Sequence, residues 1–253
     1  MDVTDWHRGP RKGRSAQGAV TVRVTDLGIF NLVKFTLLER WDMVKLKRWL
    51  VGLCVCLVMT SVNAEERVTV LFLGDSITAG LGIDVKDAFP ARIQAKVDSL
   101  GWLVTAVNAG LSGETSSGGL RRISWLLKRK IDVMVLELGA NDGLRGIDLG
   151  LTEKNIKEII TRTKKAYSDC EIIIAGMQMP TNLGPEFTEA FRSLFGKIAE
   201  ETGSQLIPFL LDGVGGVPEL NLPDGKHPTA EGHAILAENV WVILKPILET
   251  RTE

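Results

Sequence analysis

The stretch Val68-Thr69-Val70-Leu71-Phe72-Leu73, followed by Gly74-Asp75-Ser76, decides the fold of this chain. Its first six residues carry no charge, and five of them are apolar. A short apolar run bounded by turn residues is typical of a β-strand that is buried on both faces, as in a parallel sheet. Ser76 is therefore expected at the carboxyl end of a strand, where parallel α/β sheets bind their ligands.

Similar apolar runs recur along the chain and alternate with longer stretches of helical periodicity. Further strands are predicted at residues 133–136 and 172–175, with weaker candidates at 103–107 and 205–208. Helices are predicted at residues 89–100, 115–130, 152–167, 185–202 and 230–248. This alternation predicts an α/β fold, namely a three-layer α/β/α domain with a five-stranded parallel sheet between two layers of helices.

Composition and charge exclude several classes of protein. The 253 residues are 45% apolar and 24% charged, with a formal net charge of −1. This composition excludes collagen-like, low-complexity and wholly disordered chains. The near-neutral charge removes the general electrostatic argument for a nucleic-acid partner. The basic runs Arg121-Arg122 and Lys128-Arg129-Lys130 are expected to form the solvated face and the end of one helix.

Residues 43–64 have the three parts of a secretory signal. Positions 45–48 hold three basic residues, residues 49–59 carry no charge, and Val62-Asn63-Ala64 has small residues where a signal peptidase reads them. The uncharged run is shorter than the about 20 residues that span a bilayer, so cleavage after Ala64 is favoured over a membrane anchor. The sequence therefore predicts a periplasmic or secreted protein.

The segment before this signal is left out of the fold prediction. Secretory signals stand at the start of a protein, yet residues 1–42 precede Met43. We expect Met43 to be the true start and residues 1–42 to reflect a mis-assigned start codon, the alternative being a disordered leader. The mature protein would then be residues 65–253, the length of a single domain.

Four turn segments lie after predicted strands or before the last predicted helix: residues 74–76, 108–115, 139–143 and 224–228. Each alone is weak evidence for a site, because residues 74–76 are compatible with a helix cap and the others with glycine-containing turns. The predicted sheet, however, would bring segments that follow parallel strands to the same edge. We therefore interpret them together.

Together these segments hold the parts of a serine hydrolase. Ser76 is the candidate nucleophile, His227 is the base that takes its proton, and Asp224 is the carboxylate that orients the imidazole. An oxyanion site needs donors that converge on one point. The backbone N–H groups of Ser76 and Gly113 and the side-chain amide of Asn141 are the candidate donors.

Other residue types do not indicate a second site. His233 falls within the last predicted helix and is expected to be a packed or surface residue. After residue 64 the chain has only two histidines, His227 and His233, and one cysteine, Cys170, so the sequence indicates no zinc site. The glycine-containing loops match neither a P-loop nor a dinucleotide fingerprint. We therefore predict neither a metal nor a cofactor.

The four segments read, in order, G-D-S-I-T, N-A-G-L-S-G-E-T, G-A-N-D-G and D-G-K-H-P. In this order they resemble the GDSL, or SGNH, family of hydrolases, and the resemblance covers residues 67–230. It implies a flavodoxin-like form of the three-layer fold and the catalytic and oxyanion roles just described. The sequence departs from the family name at one position only, where Ile77 stands in place of the leucine of GDSL. Both residues are apolar.

Within that family, residues 136–146 and 182–184 resemble periplasmic multifunctional esterases, variously called acyl-CoA thioesterase, lysophospholipase or arylesterase. This implies a small-molecule acyl ester or thioester as substrate and a groove for the acyl chain beside the serine. Six residues are candidates to line the groove, with ordinary packing an equal alternative for each: Leu111, Leu144, Ile147, Met177, Met179 and Pro180. The glycine-rich segment 143–150 is expected to be a mobile flap over the acyl chain, or else a plain surface loop.

Two other functions are compatible with the sequence. A carbohydrate O-deacetylase would use the same residues on the same fold, although the Met-, Leu- and Ile-rich surroundings favour an acyl chain. A non-catalytic flavodoxin-like binding module would be expected to lack part of the triad or of the oxyanion site, and neither is incomplete. The sequence indicates no nucleic-acid partner and no stable membrane anchor, and it leaves the oligomeric state open.

Export should remove the chain up to Ala64, because the three parts of the signal end there. N-terminal sequencing of the exported protein should therefore begin at Glu65. A first residue upstream of Met43 would contradict both the cleavage site and the start at Met43.

Overall fold

The computed structural model describes residues 67–252, together with Lys45, Lys47 and Arg48, which are helical and exposed. Residues 67–252 lie in one compact unit, Ala64–Glu253. Apart from the three basic residues, the predicted start, signal segment and cleavage site lie outside the described residues. Among the helices of this described part, none has the length and apolar character that crossing a membrane requires.

A single sheet lies at the centre of the unit. Its strands are β1 (Val68–Gly74), β2 (Val104–Gly110), β3 (Val133–Glu137), β4 (Glu171–Ala175) and β5 (Gln205–Ile207). They lie in the order β2-β1-β3-β4-β5, and every pairing is parallel. The predicted five-stranded parallel sheet is thus confirmed, and the strand order is that of flavodoxin-like folds.

Strand β2 is longer than the sequence prediction. It continues through Ala109 to Gly110, although Asn108 and Gly110 are residue types typical of turns. Parallel pairing with β1 explains the extension, because the register aligns Gly110 with Gly74 and the two strands end side by side.

The helices of the described part are α1 (Ser76–Ala79), α2 (Phe89–Ser99), α3 (Ser116–Leu126), α4 (Ala140–Leu144), α5 (Leu149–Ala166), α6 (Pro185–Thr202) and α7 (Ala230–Thr252). The five long helices agree with the predicted ones to within four residues at each end. Helix α5 begins at Leu149, earlier than predicted, because the carboxylate of Asp148 caps it by accepting the N–H of Leu151 at 3.0 Å.

The side chains of β1 show how the three layers are held together. Val70 and Phe72 pack on one face of the sheet with residues of α2 and α7. Leu71 and Leu73 point to the other face and pack with residues of α3, α5 and α6. Each buried side chain of this size contributes about 1.5–3 kcal/mol. An uninterrupted apolar run is therefore what a strand between two layers of helices requires.

The strand order creates a crevice at the carboxyl ends of β1 and β3. The connection after β1 leads to β2 on one side, whereas β3 lies on the other side of β1. In open α/β sheets the ligand binds where the strand order reverses in this way. The short helices α1 and α4, which are absent from the sequence prediction because four or five residues show no periodicity, begin at this crevice and carry Ser76 and Asn141.

Candidate active site

Ser76 is the first residue of α1, directly after the turn that ends β1. Asp75 caps this short helix, since its Oδ1 accepts the N–H of Ile77 at 3.0 Å. The preceding Gly74 has no room for a side chain, because a Cβ there would collide with Thr78 and Glu137. Residues 74–76 therefore form a helix cap, and the same turn places Ser76 at the end of β1.

His227 lies between Ser76 and Asp224. Its Nε2 is 2.9 Å from the Oγ of Ser76, and its Nδ1 is 2.5 Å from Oδ2 of Asp224. An ionised carboxylate can only accept hydrogen bonds, so Nδ1 carries the proton and Nε2 accepts from the serine hydroxyl. The hydrogen bond from the imidazole, followed by those from the backbone N–H groups of Lys226 and His227, holds the pKa of Asp224 well below its usual range.

The loop that carries Asp224 and His227 is tied to the rest of the domain. Oδ1 of Asp224 accepts the N–H groups of Lys226 and His227 at 2.9 and 3.0 Å, so the carboxylate also shapes its own turn. The N–H of Leu222 donates to the carbonyl of His227 at 2.7 Å. Asn221, which is buried, donates to two carbonyls of the preceding segment. These hydrogen bonds fix the backbone of the loop that positions the imidazole.

Gly113 lies in the turn after β2, where its φ of +77° is in the left-handed region that favours glycine. The turn is fixed by the next residue, Glu114, a buried carboxylate that forms an ion pair with Arg122. Arg122 also donates to the carbonyl of Ala109 at 2.6 Å. Its guanidinium therefore supports the loop rather than offering a charge to nucleic acid.

The side-chain amide of Asn141 is held at both ends. Its Nδ2 donates to Oδ2 of Asp75 at 2.9 Å, and its Oδ1 lies 3.5 Å from a guanidinium nitrogen of Arg145. The same nitrogen of Arg145 donates to the carbonyl of Gly113 at 2.9 Å. These contacts bring Gly113 and Asn141 to the same region, and Asp75 joins that region to Ser76. The five predicted catalytic and oxyanion residues therefore lie in one cluster of contacts.

Asp142, the residue after Asn141, is fully buried and connects three elements. Its carboxylate accepts the N–H and the hydroxyl of Ser116 at 2.8 and 2.5 Å, which attaches α4 to the start of α3. It also accepts the hydroxyl of Thr152 in α5 at 3.2 Å. A buried carboxylate is tolerated only when donors surround it in this way. The segment with Asn141 is thus anchored to the same helix whose start follows Gly113.

The site contains functional candidates that the sequence analysis missed, namely Asp75, Glu137, Asp142 and Arg145. Asp75 and Asp142 stand beside Ser76 and Asn141, so adjacency was a signal for them. Glu137 was detectable as the one charged residue at the end of the otherwise apolar strand β3. Arg145 had no signal in the sequence, because its contacts depend on how α4 ends.

The six predicted groove residues fall into two groups. Leu111, Leu144 and Pro180 are exposed and Ile147 is half-buried. Met177 and Met179 are only 4% and 9% exposed and pack in the core between the sheet and α6. For the two methionines the structure favours the packing alternative over direct contact with a ligand.

His233 is a packed residue of α7, as expected. Its Nδ1 accepts the N–H of Phe89 at 3.2 Å, and its ring stacks on the ring of Phe89. Burial lowers the pKa of His233 to about 4, so the imidazole is neutral at physiological pH. Within residues 67–252, no group of three or more histidine, cysteine or acidic side chains is arranged to hold a metal ion.

Comparison with known proteins decides the family. The sequence profile of the GDSL-like lipase/acylhydrolase family matches residues 72–235, well over half of the chain. The chain belongs to this family. The resemblance seen in the four turn segments is thereby confirmed, and the protein is a hydrolase of ester bonds rather than a non-catalytic binding module.

Three similar proteins illustrate the match. The chain is 38% identical to the esterase TesA of Pseudomonas aeruginosa, over 77% of this chain and 96% of that protein. It is 35% identical to the thioesterase 1/protease 1/lysophospholipase L1 of Escherichia coli K12, over 76% of this chain and 90% of that protein. The structure of the psychrotrophic esterase EstA from Pseudoalteromonas sp., inhibited by monoethylphosphonate, is similar with a TM-score of 0.68 and 30% identity, over 72% of this chain and 98% of that chain.

Proposed function

We propose that this GDSL-family hydrolase cleaves acyl esters and thioesters through an acyl-enzyme formed on Ser76. The observation that carries the proposal is the continuous chain of hydrogen bonds from Ser76 Oγ through His227 to Asp224, at 2.9 and 2.5 Å. A serine hydroxyl becomes a nucleophile when a positioned base takes its proton during attack. The orientation of His227, with Nε2 towards the serine, meets that requirement.

The reaction has two stages. Ser76 Oγ attacks the carbonyl carbon of the substrate while its proton passes to Nε2 of His227, and Asp224 stabilises the resulting imidazolium. The tetrahedral intermediate collapses, and the leaving alcohol or thiol takes the proton from His227. Water then gives a proton to His227 and attacks the acyl-enzyme. Collapse of the second tetrahedral intermediate releases the carboxylic acid and returns the proton to Ser76.

The oxyanion of both tetrahedral intermediates needs preorganised donors. We assign this role to the N–H groups of Ser76 and Gly113 and to the amide of Asn141. Within residues 67–252 neither of the two backbone N–H groups donates to a backbone carbonyl. Asn141 uses one N–H of its amide on Asp75, which leaves the other N–H for the substrate oxygen.

An apolar rim supports an acyl chain as the substrate group. Each of the four segments that follow β1 to β4, at the edge of the sheet that carries the site, exposes one leucine. These are Leu81, Leu111, Leu144 and Leu183, which are 45%, 54%, 47% and 42% exposed. Large apolar side chains that gather at one edge of a soluble domain mark a binding surface. The names of the P. aeruginosa and E. coli relatives, an esterase and a thioesterase/lysophospholipase, agree with this choice.

We further propose that the hydrolase acts outside the cytoplasm, after cleavage following Ala64. Support comes from the basic start, the uncharged run and the small residues at the end of residues 43–64.

Replacement of the nucleophile, Ser76→Ala, should abolish turnover and leave the fold intact, because it removes one oxygen at the end of a strand. We expect kcat to fall by about 10⁴–10⁶. A fluorophosphonate probe should label the wild-type protein and the control variant Ser99→Ala, whose hydroxyl lies on the surface at the end of α2. Labelling of Ser76→Ala would place the nucleophile elsewhere.

Removal of the Asn141 amide, Asn141→Ala, should lower kcat by about 10²–10³ and leave KM nearly unchanged. The reason is that the amide interacts most strongly with the negative charge that develops on the carbonyl oxygen. Steady-state kinetics with a nitrophenyl ester, together with the melting temperature of both proteins, would measure this. A higher KM with unchanged kcat would instead make Asn141 a residue for substrate binding.

Acyl-chain length tests the apolar rim and the segment 143–150. Burial of one methylene contributes about 0.8 kcal/mol, so each added CH₂ should raise kcat/KM about three- to fourfold until the groove is full. Ile147→Ser should flatten this dependence for octanoyl esters and spare acetyl esters. Val242→Ser, at an exposed position of α7, is the control. Equal losses for acetyl and octanoyl esters, or none, would favour a plain surface loop and leave an O-deacetylase as the better interpretation.

A further inference from the structure

The direction in which the Asn141 amide faces decides whether it can help the reaction. Its nitrogen is a donor and its oxygen is an acceptor. Only the nitrogen can stabilise an oxyanion, and an amide turned by 180° would place a carbonyl oxygen against the negative charge. Something in the structure must therefore fix the orientation, and the two neighbours that touch the amide are Asp75 and Arg145.

Asp75 is the stronger of these two partners. Its carboxylate is almost fully buried, and Oδ2 accepts from Asn141 Nδ2 at 2.9 Å, whereas the contact with the exposed Arg145 is 3.5 Å long. An ionised carboxylate has no proton to donate, so it can face only the nitrogen of the amide. A protonated Asp75 could donate to the amide oxygen and would no longer distinguish the two orientations.

Glu137 adjoins Asp75, and the two carboxyl groups affect each other's protonation. Glu137 is the last residue of β3, opposite Gly74 in the β1–β3 register, and is fully buried. Its Oε2 accepts the backbone N–H of Asp75 at 3.0 Å and the hydroxyl of Thr78 at 2.7 Å. Its Oε1 is the one buried side-chain polar atom of residues 67–252 that has no hydrogen-bond partner. The Asp75 and Glu137 carboxyl groups interact directly, so that they cannot both be ionised without a large electrostatic penalty.

The surroundings favour the proton on Glu137. Burial, and then the negative charge of Asp75, raise the pKa of Glu137 well above its usual value. Burial also raises the pKa of Asp75, but the hydrogen bonds from the N–H of Ile77, from the Glu137 carboxyl and from the Asn141 amide oppose that effect. A neutral acid with one unpartnered oxygen is also far cheaper to bury than a carboxylate with the same defect.

From this geometry we infer that Asp75 and Glu137 are positioning residues for the oxyanion site. Glu137 holds the single proton of the pair, so that Asp75 remains a carboxylate that only accepts and turns the Asn141 amide with its nitrogen towards the substrate. Glu137 also fixes the turn that carries Ser76, through its bond to the N–H of Asp75. The inference depends on the proposed role of Asn141 as an oxyanion donor.

Two isosteric variants show which carboxyl holds the proton. Asp75→Asn keeps an oxygen for the cap of α1 but places an NH₂ group opposite Asn141, so that amide should turn. We expect kcat on a nitrophenyl ester to fall by about 10²–10³ with KM unchanged, as for loss of an oxyanion donor. Glu137→Gln resembles the neutral acid, so its kcat on the same ester should fall by less than about tenfold. A larger loss of kcat in Glu137→Gln than in Asp75→Asn would overturn the inference.

A double variant separates positioning from other effects of the Asp75 charge. If Asp75 acts through the amide, Asp75→Asn should have little further effect on kcat in the Asn141→Ala protein. Independent losses that multiply would show that Asp75 acts on another group, such as His227. Asp98→Asn, the same change on the exposed end of α2, is the matched control.

Infrared spectroscopy gives a result that does not depend on activity or on the folding of Asp75→Asn. The wild-type protein at neutral pH should show the carbonyl band of a protonated carboxylic acid, and Glu137→Gln should lose it. Persistence of the band in Glu137→Gln would place the proton elsewhere and overturn the inference. A wild-type protein that hydrolyses no ester would instead refute the proposed function, and the infrared result would still report on the carboxyl pair.

Discussion

The parallel pairing of β1 with β3 is the constraint on which the site depends. It sets Gly74 opposite Glu137 and brings the residues after both strands, Ser76 and Asn141, to one crevice. Because Gly74 has no side chain, the turn can close tightly over Glu137 and Thr78. A larger residue there would push apart the two strands and, with them, the candidate nucleophile and the candidate oxyanion donor.

Much of the fold could be predicted because the sheet is buried on both faces. Runs such as Val68–Leu73 are apolar throughout, and a covered parallel sheet is the architecture that most often produces such runs when helices of ordinary length separate them. The prediction failed where tertiary pairing overrides local preference. Asn108 and Gly110 belong to a strand only because β1 lies beside them, and α1 and α4 are too short to show a period.

Some residues of the candidate site could be predicted from the sequence, and others could not. Ser76 after a predicted strand and His227 three residues after Asp224 were visible in the sequence because the predicted sheet brings their segments to the same edge. Arg145 was not visible, because its contacts with Gly113 and Asn141 depend on how α4 ends. Asp142 adjoins Asn141 in the sequence, but its contact with Ser116 depends on how α3 and α4 pack. For Met179 the sequence left groove lining and core packing equally open, and the structure shows its sulfur against Gly143 in the core.

The four leucines at the edge of the crevice also bear on the fate of the product. A surface that attracts the acyl chain of an ester attracts the same chain on the released acid, by about 0.8 kcal/mol for each methylene in contact. Long chains would thus be captured efficiently and released slowly, so that departure of the fatty acid, rather than bond cleavage, would limit turnover as the chain grows. Leu111 and Leu144 are exposed to water, which limits how tightly the fatty acid is held, since a shallow rim binds a product less tightly than an enclosed tunnel.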